Sequence, residues 1–138
     1  MSSGKRIVFD TSTPVGAVLK PQSIPAKALS WGWEVAEIAV SAETLEELRL
    51  VVARERLDAY RERAARQTFV ELYQAMTVLV PVGETVVACR DPRDDKFLSL
   101  AVSAGASLLV SSDDDLPSLA RYQGVTILRP KAFVELCE

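Results

Sequence analysis

The sequence predicts an α/β domain with a mainly parallel central sheet. Three observations carry this expectation. Short apolar runs alternate with stretches of helical periodicity along the chain. Two of those runs, residues 7–9 and 108–110, lead straight into acidic turns rich in Ser and Thr, "FDTST" and "VSSDDDL". The length of 138 residues suits one domain, spanning 1–138, with its own core, and there is no repeat, low-complexity segment or linker.

Taken in order, residues 6–10 read as a short buried strand. "TSTPVGAVLK" supplies hydroxyl caps and a proline near the first helical position, which predicts a helix over 13–19. "PQSIP" is a loop, and a helix over about 25–33 ends near Gly32. Residues 37–40 form a second strand, after which Ser41 can cap a helix running to about Ala53. An amphipathic helix follows over 60–75. Residues 77–80 and 85–89 are short strand or loop segments around "PVGE". Asp91-Pro92 makes an N-cap and N1 pair for a helix to about Ala104, stopped by Gly105. A strand over 108–110, a helical turn over 116–122, a strand over 126–128 and a closing helix over 131–137 complete the chain.

Hydrophobic content of 49% with 25% charged residues reads as globular and soluble. The apolar runs are too short to span a membrane, and "MSSGKR" lacks the apolar centre of a signal peptide, so a cytoplasmic location without membrane contact is expected. Cys89 and Cys137, with neither a CxxC nor a neighbouring His, read as free thiols. The chain has no histidine, which excludes Ser-His-Asp and Cys-His catalysis. Its chemistry must rest on carboxylates, on Lys or Tyr, or on a metal.

The net charge of −3 is unevenly spread. Arg49, Arg54, Arg56, Arg61, Arg63 and Arg66 form a basic arm diluted only by Glu55, Asp58 and Glu62. Residues 91–115 hold six aspartates against Arg93 and Lys96. One basic arm and one acidic pole make the molecule asymmetric.

Ligands of open parallel sheets bind outside the carboxyl ends of the strands. Asp10 and Asp113, each following a strand, therefore suggest a shared acidic site for a hard cation. Side-chain direction along a helix, at about 100° per residue, selects further members. Asp94 falls within the arc of Phe97, Leu98 and Ala101, with Asp95 and Lys96 near its edge or outside; Asp94 also reads as support for the helix N-terminus. Glu47 lies about 40° from Val51, at the border of the apolar arc of its helix, whereas Glu43 and Glu46 are further out. In an extended turn Asp113 and Asp115 share a side and Asp114 points away.

"FDTST", "ETLEELRLVV", "DPRDDKFLSLAVSAGASLLVSSDDDL" and "GVTILRPKAFVEL" together resemble the PIN domain family, in the branch of toxin components of bacterial toxin–antitoxin systems. The resemblance covers nearly the whole chain, is weakest over 54–88, and is most specific over 91–116. It implies a three-layer α/β/α sandwich with a mainly parallel sheet. It also implies three or four acids binding Mg²⁺ or Mn²⁺, and hydrolysis of RNA phosphodiesters. By motif, the family's acids fall on Asp10, Glu47, Asp94 and Asp113, with Asp115 as an extra. Ser12 stands where many members have Asn, and Ser111 where many have Thr; each keeps a hydroxyl able to hold a carboxylate or a metal-bound water. A homodimer and a neutralising antitoxin are further implications of the resemblance.

Two other readings compete. Receiver domains and haloacid-dehalogenase-like phosphatases also place Asp at strand ends around Mg²⁺. However, Ser12 stands where the phosphatase pattern wants a second Asp, and "TILRPKAF" fits a receiver's lysine only loosely. A PIN-fold interaction module is the other, in which Trp31, Trp33 and Tyr73 serve either the core or an interface.

Overall fold

The computed structural model describes residues 5–83, 95–113 and 120–138. The elements are β1 (Arg6–Phe9), α1 (Ser12–Leu19), α2 (Ile24–Val35), β2 (Glu37–Val40), α3 (Ala42–Val52), a 3-10 turn (Glu55–Ala59), α4 (Arg63–Ala75) and β3 (Val78–Leu79). After them come α5 (Asp95–Ala104), β4 (Leu108–Val110), β5 (Arg121–Tyr122), β6 (Val125–Leu128) and α6 (Pro130–Cys137). Among the described residues the strands form one sheet in the order β3-β2-β1-β4-β6-β5. All neighbours are parallel except β5 and β6.

Strand alternation divides the core into two layers. Ile7 and Phe9 face one way and pack with Val18, Leu29, Leu48, Tyr73 and Phe133, so α1, α2, α3, α4 and α6 cover that face. Val8 and Leu109 face the other way and pack with Phe97, Leu98, Leu100 and Ala101 of α5. This is the three-layer arrangement expected from the sequence. Successive strands move outward from β1 to β3, then the chain returns to place β4 on the other side of β1. A right-handed crossover in each direction puts α5 opposite the other helices. The reversal makes the crevice between the carboxyl ends of β1 and β4 the topological switch point.

Several expectations are corrected. Gly32 does not end α2, which continues to Val35. Instead a Cβ there would meet the Phe9 ring at 2.8 Å, so the glycine lets helix and strand approach. The helix expected from residue 60 starts at Arg63, after the 3-10 turn. Arg121 and Tyr122, placed at the end of a helical turn, instead pair antiparallel with Thr126 and Val125. Gln123 and Gly124 make the connection with φ of +46° and +84°, the left-handed pair that a two-residue hairpin requires. The expected strand at 85–89, Cys89 and the helix start at Asp91-Pro92 lie outside the described residues. Of the three aromatics left open between core and interface, Tyr73 is core, while Trp31 and Trp33 are half-buried against that core.

Candidate active site at the switch point

Asp10 sits at the switch point and is only 4% exposed. Its own N–H donates to the Val110 carbonyl at 3.0 Å, continuing the β1–β4 pairing by one residue. Three hydroxyls donate to its carboxylate: Ser12 at 2.7 Å and Thr13 at 3.2 Å to Oδ1, and Ser111 at 2.6 Å to Oδ2. Burial nevertheless raises the Asp10 carboxyl above its ordinary pKa, and the hydroxyls only partly pull it back. The Tyr73 phenol beneath is raised as well, by burial and then by the Asp10 charge.

Ser111 ties the next candidate to this acid. While its hydroxyl donates to Asp10, it accepts the Asp113 N–H at 3.0 Å, so the turn after β4 is folded back onto β1. The Ser12 and Ser112 hydroxyls are 2.6 Å apart across the same gap. Arg129, the N-cap of α6, donates to the Ser112 carbonyl at 3.2 Å. Asp113 is half-buried beside the deeper Asp10.

Glu47 enters from α3. Ser41 and Thr44 form a reciprocal capping box that fixes the start of this helix. Leu45, Leu48 and Val52 then bury its apolar face, leaving Glu47 half-buried at the border while Glu43 and Glu46 are exposed. Both oxygens of Glu47 are engaged. Thr11, the residue after Asp10, donates its hydroxyl to Oε2, and Lys96 of α5 places Nζ 2.7 Å from Oε1. Glu47 thus joins the Asp10 region through Thr11.

Asp94 and Asp115 lie outside the described residues, so the cluster seen is Asp10, Ser12, Ser111 and Asp113, with Glu47 linked through Thr11. Among the described residues no three acids lie together as a metal cage. Asp95, expected near the edge of the apolar arc or outside it, is instead 8% exposed. The arc argument assumes a one-sided helix. In α5, however, Phe97, Leu98, Ser99, Leu100, Ala101 and Ala104 are buried too, and only Lys96, Val102 and Ser103 reach toward solvent. A helix enclosed on most sides gives no unique buried arc, so Asp95 is buried where the arc argument put it at the edge. The Lys96–Glu47 pair also went unforeseen, because its members are 49 residues apart with no local signal.

A model of the PIN domain family matches residues 6–115. The chain is 25% identical over 140 residues to the uncharacterized protein MJ1680 of Methanocaldococcus jannaschii, covering 94% of this chain and 90% of that protein. Its fold is similar to VapBC2 from Rickettsia felis bound to a DNA fragment from its promoter. There the TM-score is 0.63 at 14% identity, with 90% of this chain and 98% of that one covered. It is also similar to PAE2754 from Pyrobaculum aerophilum, with TM-score 0.63, 16% identity and coverage of 99% and 91%. DNA-bound VapBC from Salmonella typhimurium matches with TM-score 0.62 at 15% identity, covering 91% and 98%.

Proposed function

The chain belongs to the PIN domain family, and from that premise we propose that it is a divalent-metal-dependent endoribonuclease, the toxin of a toxin–antitoxin pair. The observation that carries the proposal is the Asp10 carboxylate, buried at the switch point and held by hydroxyls from both flanking strand ends. An enclosed carboxylate is costly unless a positive charge compensates it. The donors around it are carboxylate and hydroxyl oxygens, a set suited to Mg²⁺ or Mn²⁺ and not to softer metals.

Asp10 and Asp113 would hold the cation, with Asp94 and Glu47 completing its ligands and Asp115 in reserve. When bound, the cation would supply an acidified water and neutralise charge on the phosphodiester. The chain's own residues do the positioning. Ser12, Thr13 and Ser111 fix the plane of the Asp10 carboxylate. Ser111 simultaneously holds the backbone of Asp113, so one hydroxyl links the two acids.

The partner reading is an RNA substrate, a cognate antitoxin and a homodimer. In its support, α1, α2 and α4 frame a mixed groove of about 630 Å³ lined by Val18, Leu29, Trp33 and Phe69 together with Arg61 and Glu62. No helix among the described residues is long and apolar enough to cross a membrane, and a cytoplasmic setting is part of the same proposal. The deciding experiment is cleavage of single-stranded RNA by purified, antitoxin-free protein with Mg²⁺ or Mn²⁺. Activity that disappears in Asp10→Asn and Asp113→Asn supports the reading. Inactivity of the wild type under those conditions overturns it.

A further inference from the structure

The Glu47 carboxylate already has a cation. Lys96 Nζ lies 2.7 Å from Oε1, and the two side chains are 15% and 31% exposed, so solvent only partly screens the pair. The ammonium is also 5.5 Å from the centroid of the Phe97 ring, a second attraction that holds it in place. The Thr11 hydroxyl occupies the other carboxylate oxygen. Both oxygens of a proposed metal ligand are therefore engaged by groups of this chain.

We propose that Lys96 is an internal counter-cation of the site, competing with divalent metal at Glu47 Oε1 and so weakening that carboxylate's hold on metal until the Lys96–Glu47 pair opens. The proposal rests on the metal-site reading above. A divalent ion at Oε1 would stand close to the ammonium, so the two like charges oppose each other there and each weakens the other's hold on Glu47. Metal held by Asp10 and Asp113 is not excluded by the pair, because Ser111 and Ser12 satisfy Asp10 with neutral donors. Lys96 thus sets how many divalent ions the resting protein takes and how tightly. It is a positioning residue, acting through Glu47.

The test is isothermal titration of chelator-stripped, intact protein with Mn²⁺ alone, without RNA. Lys96→Met is expected to bind Mn²⁺ about tenfold tighter than wild type or to take up an extra equivalent, as removal of a like charge beside a ligand oxygen predicts. Lys96→Arg, which keeps the charge, is expected to behave as wild type. Lys96→Gln carries the same expectation as Lys96→Met should the latter fail to fold. Unchanged or weaker Mn²⁺ binding in a folded, charge-removed variant overturns the proposal, since a merely structural lysine can only loosen the site. Asp10→Asn in the same titration tests the underlying reading separately. If it binds Mn²⁺ as wild type does, the metal site itself is wrong, whatever Lys96 does.

Discussion

Ser111 donates its hydroxyl to Oδ2 of Asp10 at 2.6 Å, joining residues 101 apart in sequence at the ends of two adjacent parallel strands. The donor is wholly buried and the acceptor nearly so. Removing the hydroxyl leaves one oxygen of a buried carboxylate without that partner. Ser111→Ala is expected to lower stability by about 1–3 kcal/mol, the cost of an unsatisfied buried polar group. Ser111→Thr keeps the hydroxyl and should lose much less. Urea denaturation of both variants measures this, and equal midpoints for Ser111→Ala and wild type would show that the bond adds nothing.

The same acid gives the metal-free protein a pH dependence whose sign is fixed. Burial raises the folded pKa of Asp10 above its ordinary 3.8. The folded state therefore holds this proton more tightly than the unfolded chain does. Stability from the group is fully present below the unfolded value and is lost as the pH rises through the folded one. Asp10→Asn never ionises and escapes that loss. In chelator, the variant should match or trail wild type in acid and gain on it steadily toward neutral pH. Added Mg²⁺ or Mn²⁺ should narrow the neutral gap, because it stabilises only the protein that binds it. Thermal melts across pH decide this; a gap that does not change with pH would mean that the folded Asp10 is not perturbed.

Gly32 predicts a helix position where alanine is the worse residue. In an ordinary helix interior, replacing Gly by Ala gains about 0.5–1 kcal/mol. Here the added Cβ would stand 2.8 Å from Cε2 and Cζ of Phe9 and 3.1 Å from Cδ1 of Ile7. The Phe9 ring cannot simply swing away, because Phe133 meets it edge-on with centroids 6.0 Å apart and planes at 81°. Overpacking of about 1–3 kcal/mol should outweigh the helical gain. Gly32→Ala is expected to be destabilised by about 1 kcal/mol in denaturant titrations, and any stabilisation would show that β1 and α2 can part freely.

Gly32 also marks where sequence reasoning reaches its limit. It was legible as a glycine near a helix end, yet its role depends on a ring delivered by β1. The strands β1, β2 and β4 were legible because each is an apolar run buried in the sheet. Ser41 was legible as a cap because capping is local. Glu47 was separable from Glu46 because α3 has one wet face. Asp95 was misplaced at the edge of its helix on the same grounds, since α5 is enclosed on most sides and its periodicity is blurred. The Lys96–Glu47 pair and the Ser111 bridge are contacts between distant segments, and nothing in either segment announces its partner.

The arginine arm divides into residues that hold the fold and residues that stand in solvent. Arg66 is fully buried and donates to Asp58 at 2.6 Å and to the Arg61 carbonyl at 3.0 Å. Arg61 donates to the Val18 carbonyl at 3.0 Å, tying the arm to α1. Arg54 and Arg56 are exposed and make no ion pair among the described residues. Losing Asp58 strands a buried guanidinium, so Asp58→Ala should cost about 2 kcal/mol; that is below the roughly 3–5 kcal/mol of fully enclosed pairs because Asp58 is 48% exposed. The paired change Arg54→Ala and Arg56→Ala should leave stability unchanged. If the arm guides RNA, it should instead weaken binding and flatten the dependence of log affinity on log salt by about 1.4, at roughly 0.7 per phosphate contact on a single strand. An unaltered salt slope would remove these two arginines from the RNA path and leave the arm a structural feature anchored by Arg66.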